Sequence, residues 1–133
     1  MIAGKFELNP EQFLQFVELD EFRDDWEQLG LDVEDDLLAL QMQLMWNPAE
    51  GDVIVGTGGL RKLRFAPPTR SGGKRGGIRV CYCWWPQHFL ILLVLAFGKS
   101  RKSDLTAAER AAIGRYLERT EQWLENQRRR RKT

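Results

Sequence analysis

Two neighbouring apolar segments constrain the fold of this chain more than any other feature of its sequence. Residues 78–85 and 89–97 are both rich in β-forming side chains, and Pro86-Gln87-His88 separates them. This arrangement predicts a β-hairpin. Because the second segment is apolar on both of its faces, it predicts a central strand that helices cover on at least one side.

The segments on the N-terminal side predict a strand and two helices. Residues 13–19 are apolar at both strand and helix spacing, so they are ambiguous when taken alone. Asp20 is a suitable N-cap for a short helix that Gly30 ends, which favours a strand before it. A second helix follows, with Asp32 as its cap and Asn47-Pro48 as its end. Its predicted apolar face consists of Val33, Leu37, Leu38, Leu40, Leu44 and Met45.

Apolar and basic residues alternate along residues 60–66. As a strand, this segment places Leu60, Lys62 and Arg64 on one face, and Arg61, Leu63 and Phe65 on the other. A glycine- and proline-rich basic loop is predicted for residues 67–77.

The C-terminal part of the chain predicts one further helix, capped by Asp104 or Thr106. A basic tail follows it at residues 128–132. The predicted buried stripe of the helix is Ala108, Ala112, Ile113, Tyr116 and either Trp123 or Leu124. The order of elements predicts an α+β domain with a small antiparallel-dominated sheet, two N-terminal helices packed on it and a C-terminal helix.

The net charge of +1 hides a strong separation of charge along the chain. Residues 1–52 contain fourteen acidic and two basic residues, whereas residues 53–133 contain eighteen basic and five acidic ones. Between residues 53 and 103 there are ten basic residues and no acidic one, namely Arg61, Lys62, Arg64, Arg70, Lys74, Arg75, Arg79, Lys99, Arg101 and Lys102. This segment predicts a surface that binds RNA phosphates. Phe65, Tyr82, Trp84 and Trp85 lie among these residues and offer rings for base stacking. A basic scaffold surface without catalysis is the alternative.

Residue types that support catalysis or metal binding are scarce in this sequence. Cys81 and Cys83 have the spacing of neighbours on one strand face, which predicts reduced thiols and neither a disulfide nor a zinc site. His88 is the only histidine and predicts a surface turn residue. The glycines of residues 56–59 precede a strand, so they predict a turn with positive φ and not a nucleotide-binding loop. We therefore expect no metal and no cofactor.

Targeting signals are also missing from the sequence as it stands. No N-terminal signal peptide is recognisable, and no apolar run approaches the roughly 20 residues that span a bilayer. These observations predict a soluble, cytoplasmic protein without membrane contact.

Three strings of residues resemble the HigB branch of the RelE/ParE toxin superfamily across residues 16–106. They are Asn47-Pro48-x-x-Gly51-Asp52-Val53-Ile54-x-Gly56-Thr57-Gly58-Gly59-Leu60-Arg61-Lys62-Leu63-Arg64, then Gly73-Lys74-Arg75-Gly76-Gly77-x-Arg79-Val80-x-Tyr82, and finally Gly98-Lys99 with Ser103-Asp104-Leu105. The resemblance implies a RelE-like toxin domain over residues 13–127, preceded by an N-terminal extension at residues 1–12 and followed by a basic tail at residues 128–133.

The resemblance implies the toxin of a type II toxin–antitoxin module. Such toxins cut mRNA in the ribosomal A site without a metal ion. Their implied partners are mRNA, ribosomal RNA and a helix-turn-helix antitoxin that binds operator DNA, so this chain would contact DNA only through the antitoxin. Two alternatives stay open, because a fold alone does not choose a function. One is a non-cleaving gyrase inhibitor of the ParE type, and the other is a plain RNA-binding module.

The resemblance also implies roles for individual residues. Lys62 or Lys99 would take the proton from the attacking ribose 2′-hydroxyl, Arg79 would stabilise the phosphorane, and Arg64 would hold the RNA backbone. Tyr82 would stack on a base or order the site, with a core tyrosine as the alternative. A separate set is expected to grip RNA without taking part in cleavage: Arg61, Arg70, Lys74, Arg75, Arg101 and Lys102.

The sequence departs from several RelE relatives after Lys99. Those relatives carry an arginine directly after this lysine and a tyrosine a few residues later, where this chain has Ser100 and Thr106. The stacking and acid roles of that tyrosine are therefore vacant here or belong to another residue.

Overall fold

Eight helices and strands make up the described part of the chain. The computed structural model describes residues 13–69, 77–98 and 105–132. In chain order the elements are β1 (Gln15–Glu18), α1 (Asp20–Gln28), α2 (Asp35–Trp46), β2 (Asp52–Val53), β3 (Arg61–Phe65), β4 (Ile78–Trp85), β5 (Leu90–Gly98) and α3 (Ala107–Lys132). A short 3-10 turn, Pro86–His88, joins β4 to β5. The predicted α+β class and its order of helices are confirmed.

The strands form one five-stranded sheet in the order β1-β5-β4-β3-β2. β1 runs parallel to β5, and the other pairings are antiparallel. The hairpin is confirmed, and the ambiguous residues 13–19 contain a strand. The middle strand is β4, however, and not β5 as the apolar pattern predicted. β5 is apolar on both faces because helices pack on both sides of it, while its outer edge is covered by the four-residue β1.

Helices α1 and α2 cover one face of the sheet. Phe22 and Trp26 of α1 are buried there together with Leu40 and Leu44 of α2. The Asp32 carboxylate accepts the backbone N–H groups of residues 35 and 36 at 2.8 Å each, which confirms its predicted capping role. Asp20 instead lies in the first helical turn, and no side chain caps α1.

The predicted apolar face of α2 is only partly correct. Leu37, Leu40 and Leu44 are buried, whereas Val33, Leu38 and Met45 are exposed. All six residues are apolar, so their side-chain chemistry does not distinguish the buried residues from the exposed ones. Only spacings of three and four residues, from 37 to 40 and from 40 to 44, keep side chains turned toward the sheet.

Helix α3 covers the opposite face of the sheet. Its Leu117 is buried with Cys83 and Leu92, while Ile113 and Leu124 are partly buried beside them. Tyr116, which was predicted in the buried stripe, is 47% exposed. The true stripe is therefore shifted by one residue at its centre, and Ala108, Ala112 and Trp123 lie at the surface.

The ends of α3 are well defined. Thr106 Oγ1 accepts the N–H of Glu109 at 3.1 Å, and Glu109 accepts the N–H of Thr106 at 2.8 Å, which is a complete capping box. Of the two predicted caps, Thr106 therefore fulfils the role; Asp104 lies outside the described residues. The predicted basic tail continues the helix as far as Lys132. Within the described ranges, no helix has the length and apolar character needed to cross a bilayer.

A tight turn joins β2 to β3 and meets α3. Gly56, Gly58 and Gly59 have φ values of 84°, 70° and 120°, which confirms the predicted need for positive φ. Thr57 is buried within the turn and donates its hydroxyl to the carbonyl of Ile54 at 2.6 Å. Gly114 of α3 lies directly against Thr57, so the helix approaches the turn closely.

Candidate nucleic-acid interface

Strands β3 and β4 bring three of the predicted catalytic cations to one face of the sheet. Side chains alternate along a strand, so Lys62 and Arg64 share a face. In the register between the strands, Arg79 lies directly opposite Arg64, and Cys81 lies directly opposite Lys62. Residues opposite each other in a pair of strands point the same way. Lys62, Arg64 and Arg79 therefore form one group, which we call the cation cluster.

The direct opposition of Arg64 and Arg79 within the cation cluster is electrostatically unfavourable without an anion. Opposite residues of an antiparallel pair have Cβ atoms about 5 Å apart, and like charges in such positions destabilise the sheet. Across the described ranges, neither Arg64 nor Arg79 forms an ion pair with a carboxylate. Arg79 donates a hydrogen bond to the carbonyl of Gly77 at 3.3 Å. An RNA phosphate would supply the missing negative charge, and guanidinium groups can bind it through paired hydrogen bonds.

The thiol beside Lys62 stays neutral. Cys81 is fully buried, and burial raises the pKa of its thiol to about 12, although the charge of Lys62 acts in the opposite direction. A protonated thiol neither cancels the charge of Lys62 nor acts as a base near neutral pH. The prediction of reduced thiols agrees with this environment, since Cys81 and Cys83 are both free and buried.

The neighbouring part of β5 provides an apolar floor. Phe97 pairs with Arg79 and Leu95 with Cys81, so both lie on the face of the cation cluster. The next pair joins Tyr82 to Leu93, which leaves Val94 as the extra residue of a β-bulge. The carboxylate of Asp25 in α1 accepts the N–H of Ala96 at 3.0 Å and satisfies the backbone beside this bulge. Sequence alternation could not reveal the bulge, because every residue from 90 to 97 is apolar.

Tyr82 lies on the other face of the sheet and is separated from the cation cluster. It is fully buried beneath α2 and the segment after it. Its hydroxyl donates to the carbonyl of Pro48 at 2.7 Å and accepts the N–H of Gly51 at 2.9 Å. Burial, the largest cause, raises the pKa of Tyr82 above its ordinary value. This geometry matches the core alternative and not a stacking or catalytic role.

Arg61 also serves the turn at residues 48–51. It lies opposite Tyr82, and its guanidinium donates to the carbonyls of Ala49 and Gly51 at 3.1 and 2.7 Å. Gly51 is required for this packing, since a Cβ atom there would lie only 2.9 Å from the Tyr82 ring. Arg61 thus braces this turn, on the face of the sheet opposite the cation cluster.

The aromatic residues expected to stack on bases are mostly part of the core. Phe65, Tyr82 and Trp85 are buried, and only Trp84 is partly accessible. His88 was expected at the surface, but its side chain is only 7% exposed, with Nε2 lying 3.7 Å from Glu125 of α3. No group of three or more residues with metal-ligand side chains occurs in the described ranges.

The remaining predicted site residues lie outside the described residues. This holds for Lys99 of the catalytic set and for its neighbour Ser100. It also holds for five of the six residues that were expected to grip RNA, namely Arg70, Lys74, Arg75, Arg101 and Lys102. Of the eleven predicted site residues, the structure thus brings Lys62, Arg64 and Arg79 together, and it places Arg61 and Tyr82 on the opposite face. A search against models of known protein families finds none that matches this chain.

Proposed function

We propose that this protein is the toxin of a type II toxin–antitoxin module and cleaves mRNA on translating ribosomes in the cytoplasm. The observation that carries the proposal is the cation cluster, in which Arg64 and Arg79 oppose each other without a described carboxylate partner. The α+β fold is compatible with a RelE-like toxin, and the motif strings supply the proposed reaction. The cognate antitoxin would be a helix-turn-helix protein.

In the proposed reaction, the phosphorus atom between two nucleotides exchanges its bond to the 5′-oxygen for a bond to the neighbouring 2′-oxygen. The ribose 2′-oxygen attacks the adjacent phosphorus while its proton passes to Lys62 or Lys99. The bond from phosphorus to the 5′-oxygen then breaks, which leaves a 2′,3′-cyclic phosphate on one fragment, and the 5′-oxygen of the other fragment takes a proton from water to become a hydroxyl. Arg79 stabilises the additional charge of the phosphorane, and Arg64 holds the backbone in place.

The proposal is tested by adding the protein to a translating extract and mapping mRNA 5′ ends by primer extension. We expect cuts in phase with codons, and only when ribosomes are present. Intact mRNA together with inhibited DNA relaxation would instead identify a gyrase inhibitor. Intact mRNA with simple RNA retention would identify a binding module.

A pair of arginine variants locates the activity. Arg79→Ala should abolish cleavage and growth inhibition without unfolding the protein, because Arg79 is only partly buried and lacks an ion-pair partner within the described ranges. Arg23→Ala is the matched control, since Arg23 is an exposed arginine of α1, whose helix packs on the opposite face. Undiminished toxicity of Arg79→Ala would contradict the assignment.

A further inference from the structure

A hollow of about 290 Å³ opens between α3, β5 and the start of α1. Leu95 and Val94 of β5 form its floor, and Ile113 and Tyr116 of α3 form one wall. Leu19 and Glu21 complete the opposite wall. Its volume lies at the lower end of small-molecule pockets, so it suits one small planar group.

The hollow and the cation cluster lie on the same face of the sheet. Leu95 is two residues from Phe97, and Phe97 pairs with Arg79. With a rise of about 3.3 Å per residue and about 4.8 Å between strands, the Cα atoms of Leu95 and Arg79 are about 8 Å apart. A group bound in the hollow is therefore a near neighbour of a phosphate on the cluster.

The charges around the hollow favour one orientation of a bound group. The acidic residue Glu21 belongs to the wall remote from β3, whereas the cations lie toward β3. Glu21 repels a phosphate, and the cations attract it. An amino group, by contrast, can donate a hydrogen bond to a carboxylate.

We propose that the hollow binds an unpaired nucleobase of the RNA, stacked on Tyr116, with Glu21 favouring bases that carry an exocyclic amino group. This inference rests on the proposed function, because the phosphate of the same strand would lie on the cation cluster. The ring of Tyr116 is suited to stacking, since the residue is 47% exposed although it borders an apolar wall. Cytosine and adenine offer the amino donor that uracil lacks.

Binding of short labelled RNAs, measured by fluorescence anisotropy at one fixed salt concentration, tests the inference. The probes are an oligocytidylate, an oligouridylate and an abasic ribose-phosphate oligomer of the same length. The wild-type protein should bind oligouridylate about tenfold more tightly than the abasic oligomer, which corresponds to stacking of one base. Tyr116→Leu should reduce that ratio nearly to one without changing abasic binding. Tyr116→Phe keeps the ring and should behave as the wild type.

Glu21→Ala should remove the preference for oligocytidylate over oligouridylate, which we expect to be roughly fivefold in the wild type. Trp123→Leu and Glu27→Ala are matched controls, because both residues are exposed on α3 and α1 and do not line the hollow. Each should leave all three affinities unchanged.

The outcomes separate this inference from the proposed function. If Tyr116→Leu and Glu21→Ala keep the wild-type ratios while Arg79→Ala loses abasic binding, the base site is wrong and the phosphate site stands. If Arg79→Ala binds the abasic oligomer as tightly as the wild type, the phosphate site is wrong. A wild-type protein that binds none of the three probes contradicts both.

Discussion

Removing one charge from the Arg64–Arg79 pair should stabilise the protein while it weakens RNA binding. The two side chains lie directly opposite each other on neighbouring antiparallel strands. Like charges in such positions cost about 0.5 kcal/mol. For a chain of 133 residues this corresponds to a rise of about 2 °C in melting temperature. Side chains that bind an anion are expected to show this conflict between stability and function.

The assay is urea unfolding followed by tryptophan fluorescence, for which buried Trp26 and Trp85 provide the signal. Arg64→Gln, Arg79→Gln and the double variant complete a double-mutant cycle. Either single change removes the repulsion, so the double variant should gain about 0.5 kcal/mol less than the sum of the two single changes. The coupling should shrink markedly at 1 M salt, where the screening length is about 3 Å.

The same variants link stability to binding. Each lost phosphate contact should lower the slope of binding affinity against salt concentration by about 1. If the cycle shows no coupling energy between Arg64 and Arg79 at low salt, or a favourable one, the two cations do not repel each other and the reasoning is refuted.

Three further predictions concern the core that supports the site. Tyr82→Phe should cost about 2 kcal/mol in urea unfolding, because the buried N–H of Gly51 loses its acceptor, yet abasic RNA binding should persist. The folded-state pKa values of Cys81 and Cys83 are raised from 9.0 to about 12, so their contribution to stability is complete below pH 9 and is lost as the pH rises toward 12. At pH 10 each thiol should lower the free energy of unfolding by about 1 kcal/mol relative to pH 7, and Cys83→Ala should halve the combined loss measured by urea unfolding. Thr106→Ala should cost about 1 kcal/mol through loss of the α3 cap, measured by thermal unfolding.

Much of the fold follows from local patterns in the sequence. The hairpin of residues 78–97, the Asp32 cap and the glycine turn each depend on residues close together in the chain. The two-residue β2 is too short to show alternation, and its pairing with β3 depends on the turn between them. β4 is the middle strand because β3 pairs with the edge of β4 that β5 leaves open. The apolar character of β5 does not indicate this pairing.

Side-chain exposure on the helices was harder to predict than the helices themselves. Tyr116 and Leu117 are adjacent, and both carry large apolar groups, so the sequence is compatible with either residue in the buried stripe. In the observed rotation of α3, Gly114 lies against Thr57 and Leu117 turns inward. That contact joins residues far apart in the chain, so no helical periodicity reveals it. The exposure of Tyr116, on which the proposed base site depends, follows from the same rotation.

Strand alternation separates two residues that the motif resemblance had joined. Arg79 and Tyr82 are three residues apart on β4, so they point to opposite faces, whereas Arg79 and Cys81 are two apart and share one. The neighbour of Lys62 on β4 is thus a neutral thiol, and the tyrosine hydroxyl is committed to the turn behind the sheet. The cluster supplies positive charge on the face of the sheet opposite Tyr82. A different tyrosine, Tyr116 of α3, borders the hollow on the same face as the cations, and the proposed base site would give it the aromatic contact expected of Tyr82.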